Sequence, residues 1–311
     1  MSVLSTREAA MRAVIEHARR DDRVVLVSPD SVLAARALPF LKEFPDRLIE
    51  VGIAEQDAVD VAAGLATTGM RPVVVTYAGF LTMRACEMIR TFVAYPGLDV
   101  KFIGLNGGML GGEREGVTHQ FYEDVGILRA MPGVAILTPA DAHQAYKAAD
   151  AMMRRPGPAY LRLGSGREPE VFDEAAPFEF ARIRRVEAFG NDVAVFASGF
   201  IMDRAIAAVR ALKAEGILAA LWDVSTIKPL DAEGVRGALK GAKCAVTVED
   251  HNIIGALGSA ICEAACEMCP RRVERVGLRD QYPRSGPAGA LLDAYGISVR
   301  DIVEAAKKAM G

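Results

Sequence analysis

The sequence has few of the residue types that mark several classes of protein. Aromatic residues make up 6% of the 311 residues, Trp occurs once, and there are four His. The five Cys are an odd number, which argues against a disulfide framework. No apolar run approaches the roughly 20 residues of a membrane-spanning helix, and no signal-peptide pattern is present. We therefore expect a cytoplasmic protein with no membrane partner.

The chain also lacks a large excess of charge of either sign. The formal net charge is -3 at pH 7, from 37 Lys and Arg against 40 Asp and Glu, and no basic tail stands out. Nucleic acids and anionic membranes attract clustered Lys and Arg, so neither is an expected partner. Hydrophobic residues, rich in Ala and Val, make up 51% of the chain. This composition is typical of a soluble α/β protein, and the length favours two domains.

Three of the cysteines form a spaced group, Cys262-x3-Cys266-x2-Cys269. This spacing can hold an iron–sulfur cluster. The surrounding segment, however, consists of strong helix formers, in which positions i, i+4 and i+7 lie on one face. We therefore expect the three thiols to pack on one buried helix face, with Cys86 and Cys244 buried as well, and we predict no metal site in this chain.

Short apolar strands alternate with helices along the first half of the chain. The predicted strands lie at 24–28, 73–77, 100–104, 134–138 and 159–162. Their β-branched and nearly continuous apolar character indicates a parallel sheet that is covered on both faces.

The pattern breaks into charged and Pro- or Gly-bearing sequence between about 163 and 191, and a second alternating unit follows it. Its strands are predicted at 192–197, 218–224 and 244–249. We predict an α/β protein of two doubly wound domains, the first at 1–170 and a smaller second one at 191–311. A linker at 171–190, with room for one edge strand, joins them.

Glu55 is the first candidate for chemistry. It stands in the segment Val51-Gly-Ile-Ala-Glu-Gln56, which is followed by an apolar stretch of small residues. Burying an unpaired charge costs several kcal/mol or more, so a carboxyl group here must be neutral or bound to a specific partner. A simpler interpretation is a first-turn acid of an ordinary helix, favoured there by the helix dipole. The local sequence leaves both interpretations open.

A Gly-rich loop at 106–120 follows the predicted strand at 100–104 directly and carries His119. Ligands bind in loops at the carboxyl ends of parallel strands, and glycines let the backbone approach a ligand closely. Tyr77 and Phe80 end a neighbouring strand. An aromatic wall, a histidine and Glu55 could thus converge on one flat heteroaromatic ligand. The loop fits no phosphate-binding fingerprint, and an irregular surface loop is the alternative interpretation when it is taken alone.

The order of several short motifs resembles that in the transketolase family. The motifs are Ile53-Ala-Glu-Gln56, the Tyr77/Phe80 strand end, Gly116-Val-Thr-His-Gln120, Thr138-Pro-Ala-Asp141, and Val248-Glu-Asp-His-Asn252 followed by Gly255-Ala-Leu-Gly258. The resemblance covers the C-terminal half of a full-length transketolase, the pyrimidine-binding and C-terminal domains. The family's Gly-Asp-Gly segment, which holds the metal and the cofactor diphosphate, is absent. The chain therefore resembles the smaller subunit of a split transketolase.

This resemblance implies a cofactor and a partner. Thiamine diphosphate, with Mg²⁺ or another divalent cation, would be held mainly by an N-terminal subunit. In this chain Glu55 would hydrogen-bond N1′ of the aminopyrimidine and so help to activate the thiazolium C2. Phe80 would stack on the aminopyrimidine with Tyr77 beside it, and Asp30 would lie near the cofactor. The family's assembly implies self-association as well, with two copies of each chain.

The resemblance also implies substrate contacts. His119 would contact the donor ketose and stabilise charge that develops on its oxygen. Arg162 would grip the phosphate of the sugar. Glu115 replaces the family's usual Asp, which senses a hydroxyl of the aldose, and Asn106-Gly-Gly-Met109 replaces a His-Asp pair. These departures, together with Met83 at a position that is commonly polar or aromatic, favour a specialised ketose or ketose phosphate over the standard pentose phosphates.

The implied activity is ketol transfer, the movement of a two-carbon unit from a ketose to an aldose. A 1-deoxyxylulose-5-phosphate synthase and the β subunit of a 2-oxo acid dehydrogenase share the domains and the glutamate. The Thr118-His-Gln120 segment weighs against the dehydrogenase, and the missing N-terminal half weighs against the synthase. A non-catalytic structural or regulatory relative is the alternative from another class. Gln56 and His251 are expected to be structural.

Overall fold

The computed structural model describes residues 4–112 and 115–311. Its helices are α1 (Thr6–Ala18), α2 (Leu38–Glu43), α3 (Glu55–Thr67), α4 (Cys86–Met88), α5 (Asp124–Arg129), α6 (Ala142–Arg154), α7 (Met202–Ala214), α8 (Ala232–Gly241), α9 (Leu257–Met268), α10 (Ala288–Ala294) and α11 (Val299–Met310). Its strands are β1 (Val24–Ser28), β2 (Leu48–Glu50), β3 (Arg71–Tyr77), β4 (Lys101–Leu105), β5 (Ala135–Leu137), β6 (Ala159–Arg162), β7 (Arg184–Ala188), β8 (Val193–Ser198), β9 (Ala219–Asp223), β10 (Thr226–Lys228), β11 (Cys244–Asn252) and β12 (Val273–Leu278). None of these helices has the length and apolar character needed to cross a membrane.

In the described part of the chain, the first sheet has seven strands in the order β10-β5-β6-β4-β3-β1-β2. All neighbours are parallel except β10, which runs antiparallel to β5. Both faces are covered by apolar clusters, one including α1 and α6 and the other α3. Strands buried on both faces need nearly continuous apolar sequence, which β1 has at residues 24–27 and β4 has at residues 102–105. The predicted α/β class with a mostly parallel sheet is confirmed.

Among the described residues, the second sheet has five strands in the order β12-β11-β8-β9-β7. The edge strand β7 runs antiparallel to β9 and falls inside the predicted linker at 171–190. One strand crosses between the two units, because β10 lies beyond residue 191 yet pairs with β5 of the first sheet. A strand of three residues is too short to show a periodic pattern, so the sequence analysis missed it. It protects an edge that would otherwise expose unpaired backbone groups.

The helix predicted to run through residue 94 is irregular. It consists of a π-helical segment Phe80–Arg84, then α4, then a second π-helical segment Ile89–Ala94. Hydrophobic spacing does not distinguish a π-helix from an α-helix over so few residues. Such segments occur frequently at functional sites, and this one begins at Phe80.

The expectation for the cysteines was wrong in part. Cys244 and Cys269 are buried, but Cys86 and Cys262 are only half-buried and Cys266 is exposed. The buried face of α9 carries Ala and Ile residues instead, and the helix ends before Cys269. No group of three or more His, Cys, Asp or Glu side chains among the described residues is placed to hold a metal ion.

Candidate functional site

The candidate site lies where the strand order of the first sheet reverses. From β1 the chain proceeds to β2 on one side, and later to β3 and β4 on the other. Open α/β sheets bind ligands at such a reversal, outside the carboxyl ends of the strands. The two strand ends are tied together here, because the Ser31 hydroxyl after β1 donates to Thr76 Oγ1 of β3 across 3.0 Å.

Four rings form a cluster at this edge. The ring centroids of Tyr77, Phe80 and His119 lie 5.2 to 5.7 Å from one another, and that of Phe121 lies 5.4 Å from that of Phe80. These four pairs meet edge to face, the arrangement that the ring quadrupoles favour. A side chain at Gly79 would prevent this packing, because its Cβ would lie 1.9 Å from Phe121 Cδ1. The structure thus brings together three of the predicted site residues.

Glu55 begins α3 and is 2% exposed, so it is both a helix-start residue and a buried acid. Its Oε2 lies 2.5 Å from Nη1 of Arg84. The Arg84 guanidinium also lies over the Phe80 ring, 4.5 Å from its centroid. Arg84 is not among the residues that the sequence predicts for the site. The Phe80–Arg84 spacing of four residues, which places a cation next to a ring on a helix, is the signal that could have found it.

His119 follows a short 3-10 turn, Gly116–Thr118, and is partly buried. The Thr118 hydroxyl lies 3.0 Å from His119 Nδ1, an interaction that helps to orient the ring. Glu115 precedes the turn and is exposed. Gly116 has a φ of 76°, a conformation that glycine adopts readily, which allows the chain to turn at this point. Residues 113 and 114 of the loop lie outside the described residues.

Asp30 is exposed in the loop that follows β1. Its φ is 50°, a left-handed conformation that Asp tolerates better than most residues. The Asp30 backbone N–H donates to Glu50 Oε1 across 2.5 Å, and the Gly52 N–H donates to the same oxygen across 3.0 Å. Glu50 therefore fixes this loop against the segment that leads to Glu55. The proposed proximity of Asp30 to a cofactor remains a prediction.

The structure corrects the expectation for Arg162. This side chain is 4% exposed, and its Nε donates to Asp124 Oδ2 across 2.9 Å. Its Nη2 donates to the carbonyl oxygens of Phe121 and Asp250, each across 3.0 Å. The end of β6 is covered by α5 and β11, so this guanidinium faces protein rather than a substrate. Arg162 therefore joins the two sheets and does not belong to the candidate substrate site.

Arg7, which donates to Asn106 Oδ1 of the Gly-rich loop, is a second arginine that is not among the residues predicted from the sequence. Arg7 is partly buried, and its guanidinium donates to backbone carbonyl oxygens. Burial lowers the pKa of Arg7; Glu168 and Tyr77 oppose this, and Arg36 and Arg167 add to it. Arg7 lies in the first turn of α1, where nothing in the local sequence points to a ligand.

The Val248–Asn252 motif holds the site together from the second sheet. Asp250 accepts the backbone N–H of Met109 at Oδ1 across 3.0 Å and that of Leu110 at Oδ2 across 3.1 Å. Gly108, which lies between β4 and Met109, has a φ of 80°. A Cβ at this position would lie 2.1 Å from Asp250 Oδ2. Glycine is therefore required at position 108 because the Asp250 carboxylate packs directly against the backbone there. The Gly-rich loop is anchored by these bonds.

His251 is a structural residue in this arrangement. Burial lowers its pKa to about 4, although Asp124 opposes the shift, so the ring is neutral at pH 7. Its Nδ1 lies 2.6 Å from the carbonyl oxygen of Asn252, and its Nε2 accepts the Gly126 N–H across 3.3 Å. A proton on Nδ1 satisfies both contacts. The ring connects β11 to α5.

Glu249 makes the stability of this region depend on pH. Its carboxylate accepts the N–H groups of Leu257 and Gly258 at the start of α9, across 2.9 and 2.8 Å. Burial nevertheless raises the pKa of Glu249 from 4.5 to about 7. Between these values the folded chain holds a proton that the unfolded chain releases. The contribution of Glu249 to the free energy of unfolding therefore falls as pH rises from 4.5 to about 7.

Urea unfolding of the wild type and of Glu249→Gln between pH 4.5 and 8 tests this expectation. The free energy of unfolding of the wild type, minus that of the variant, should fall with rising pH by at most about 1.4 kcal/mol per unit. Above pH 7 the difference should level off. Parallel curves for the two proteins across this range would contradict the assignment.

Comparisons with known proteins agree with the order of the motifs. The family model described as "Transketolase, pyrimidine binding domain" matches residues 2–167, and "Transketolase, C-terminal domain" matches residues 181–302. The chain is 34% identical over 300 residues to the 6-deoxy-6-sulfo-D-fructose transketolase subunit SqwH of Clostridium sp. (strain MSTE9), covering 96% of this chain and 92% of that protein.

Two further matches differ in how much of the known protein they cover. A 1-deoxy-D-xylulose-5-phosphate synthase of Anaeromyxobacter sp. (strain K) is 37% identical over 214 residues, which are 68% of this chain but 33% of that enzyme. A solved split-gene transketolase, described as an inactive β4 tetramer, superposes with a TM-score of 0.89 at 36% identity. That superposition covers 99% of each chain.

Proposed function

Since the chain belongs to the transketolase family, we propose that it is the C-terminal subunit of a split, thiamine-diphosphate-dependent transketolase. The proposed reaction moves a two-carbon ketol unit from a ketose or ketose phosphate to an aldose or aldose phosphate. The observation that carries the proposal is the buried carboxyl group of Glu55, which Arg84 links to the ring cluster of Phe80, Tyr77 and His119. The split-subunit relatives support an N-terminal partner subunit.

The residues present fit one half of the cofactor, the aminopyrimidine. Glu55 offers a carboxyl group that would share a proton with N1′, and Phe80 and Tyr77 offer aromatic surface for a flat ring. When bound, the cofactor supplies the nucleophile for ketol transfer. His119 would donate a hydrogen bond to the donor-sugar oxygen on which negative charge develops. We retain Asp30 as a proposed neighbour of the cofactor.

The diphosphate and a divalent cation would be held by the partner, because the sequence has no Gly-Asp-Gly segment. Self-association into an assembly with two of each chain is also part of the proposal; the β4 tetramer of the solved relative supports the self-association. Glu115 is retained as the proposed contact to an aldose hydroxyl.

A second candidate is synthesis of 1-deoxyxylulose 5-phosphate from pyruvate and a triose phosphate. The identity of 37% to a synthase over 214 residues favours it, although the chain spans only a third of that enzyme. The two activities differ in the donor. Release of CO₂ from pyruvate by the assembled enzyme would support the synthase, whereas turnover with a ketose donor and no CO₂ would support ketol transfer.

We expect the purified chain to show no ketol transfer with thiamine diphosphate and Mg²⁺, because half of the proposed cofactor site is missing from it. Addition of an N-terminal subunit that carries Gly-Asp-Gly should restore turnover. Turnover of the chain alone and of the assembled pair is measured by mass spectrometry of the products from a panel of ketose donors and aldose acceptors. Turnover by the isolated chain would refute the proposal that the cofactor site is divided between two subunits. Failure of the assembled pair with every ketose donor of the panel would refute the proposed ketol transfer, and failure with pyruvate as well would also refute the synthase.

A further inference from the structure

Arg84 contacts both groups that are proposed to hold the aminopyrimidine. Its Nη1 lies 2.5 Å from Glu55 Oε2, and its guanidinium lies 4.5 Å from the centroid of the Phe80 ring. A planar guanidinium over an aromatic face occupies much the same space as a stacked flat ring. A ring stacked on this face of Phe80 and bonded to Glu55 would therefore compete with Arg84 for the same two contacts.

The two partners of this ion pair differ in exposure. The Glu55 side chain is 2% exposed, whereas the Arg84 side chain is 46% exposed. A buried carboxylate without a partner is unfavourable, so Arg84 supplies the charge that Glu55 needs when no ligand is present. A half-exposed guanidinium can move into water at small cost, because its charged end is already partly hydrated.

The backbone at Arg84 also fits a side chain that moves. Arg84 ends the π-helical segment Phe80–Arg84, and the next residue, Ala85, departs from helical geometry with a φ of -100° and a ψ of 21°. Neighbouring Met83 is 44% exposed, so the segment presents its outer face to solvent. Arg84 can therefore change its direction without disturbing the buried face of the segment.

We propose that Arg84 is a placeholder for the aminopyrimidine: in the cofactor-free chain it pairs with Glu55 and covers Phe80, and it moves out when the cofactor binds. This inference rests on the proposed function. Arg84 is a positioning residue, since it acts through Glu55. Arg84 competes with the cofactor and also neutralises the buried charge of Glu55. Its removal therefore strengthens cofactor binding and destabilises the cofactor-free chain.

Calorimetric titration of the complex with thiamine diphosphate and Mg²⁺ tests the proposal. Arg84→Met should bind about 10-fold more tightly than the wild type, because a charge-assisted hydrogen bond no longer has to be broken. Arg84→Lys, which keeps the charge, should fall between the two. Arg90→Met is the matched control, because Arg90 is an exposed arginine of the second π-helical segment, and its affinity should equal that of the wild type.

The same substitution in a Glu55→Gln background shows whether Arg84 acts through Glu55. There Arg84→Met should strengthen binding clearly less than in the wild-type background, because only the contact of Arg84 with Phe80 is still released. Urea unfolding of the isolated chain provides a second measurement, in which Arg84→Met should be destabilising in the wild type and nearly neutral beside Glu55→Gln.

Weaker or unchanged binding by Arg84→Met, with normal binding by the wild type, would overturn the placeholder role and leave the proposed function standing. An equal gain in affinity in the Glu55→Gln background would also overturn it. If the wild-type complex binds no thiamine diphosphate at all, the proposed function fails first and this inference fails with it.

Discussion

Replacement of Glu55 by alanine should lower turnover of the assembled enzyme by about 10²- to 10⁴-fold, the usual contribution of a positioned acid–base group. The proposed role of Glu55 is to share a proton with N1′ of the cofactor, and alanine has no group that can do so. Folding should survive, because the substitution removes a buried charge rather than an apolar contact. Turnover is measured at saturating thiamine diphosphate, folding by urea unfolding, and assembly with the partner, which should also survive, by size-exclusion chromatography.

Asp57→Ala is the matched control for this experiment. Asp57 also lies in the first turn of α3 and has the same charge, but it is exposed. If Glu55 served only the helix dipole, the two substitutions would have the same small effect on stability and none on turnover. We expect Asp57→Ala to retain near-normal turnover. A normal rate for Glu55→Ala at saturating cofactor would refute the proposed role.

Arg162→Met should lower the free energy of unfolding by about 3–5 kcal/mol, because it leaves Asp124 as an unpaired buried charge. Asp124 is fully buried and also accepts the Tyr160 hydroxyl across 2.6 Å. Burial by itself would raise the pKa of Asp124, but Arg162, His251 and Tyr160 outweigh it and hold the pKa below its usual value. The carboxylate therefore stays charged in the folded chain. Urea unfolding of the isolated chain measures the loss.

A second substitution separates the ion pair from simple loss of packing. Asp124→Asn combined with Arg162→Met removes both charges, so the double variant should be more stable than the sum of the single losses by about 1–3 kcal/mol. Arg236→Met provides a control at an exposed pair, where Nε lies 2.9 Å from Glu233 Oε2, and should cost less than about 1 kcal/mol. Strict additivity in the double variant would contradict the proposed pairing of Arg162 with Asp124.

The fold class and the location of the candidate site could be predicted because both depend on short-range patterns. Continuous apolar strands separated by helices indicate a parallel sheet, and the carboxyl ends of such strands meet at one edge. Tyr77 ends β3, Phe80 follows it, and His119 follows β4, which is the paired neighbour of β3 in the sheet. Their convergence therefore followed from their positions after the strands.

Contacts between distant parts of the chain could not be predicted in the same way. Arg162 ends a strand as an exposed ligand-binding arginine would, and only the packing of α5 and β11 over that strand shows that it is buried. The three residues of β10 have no periodicity that would assign them to the first sheet. The exposure of Cys266 depended on which face of α9 meets the sheet, and helical spacing alone does not choose that face.

The sequence by itself determined the α/β class, the family resemblance and the candidacy of Glu55, because apolar periodicity and short motifs are local properties of a chain. Only the tertiary structure decided which partner each buried charge has: Arg84 for Glu55, and Asp124 for Arg162. The physical reason is that a buried charge must be paired, and its partner is chosen by packing between segments far apart in the sequence.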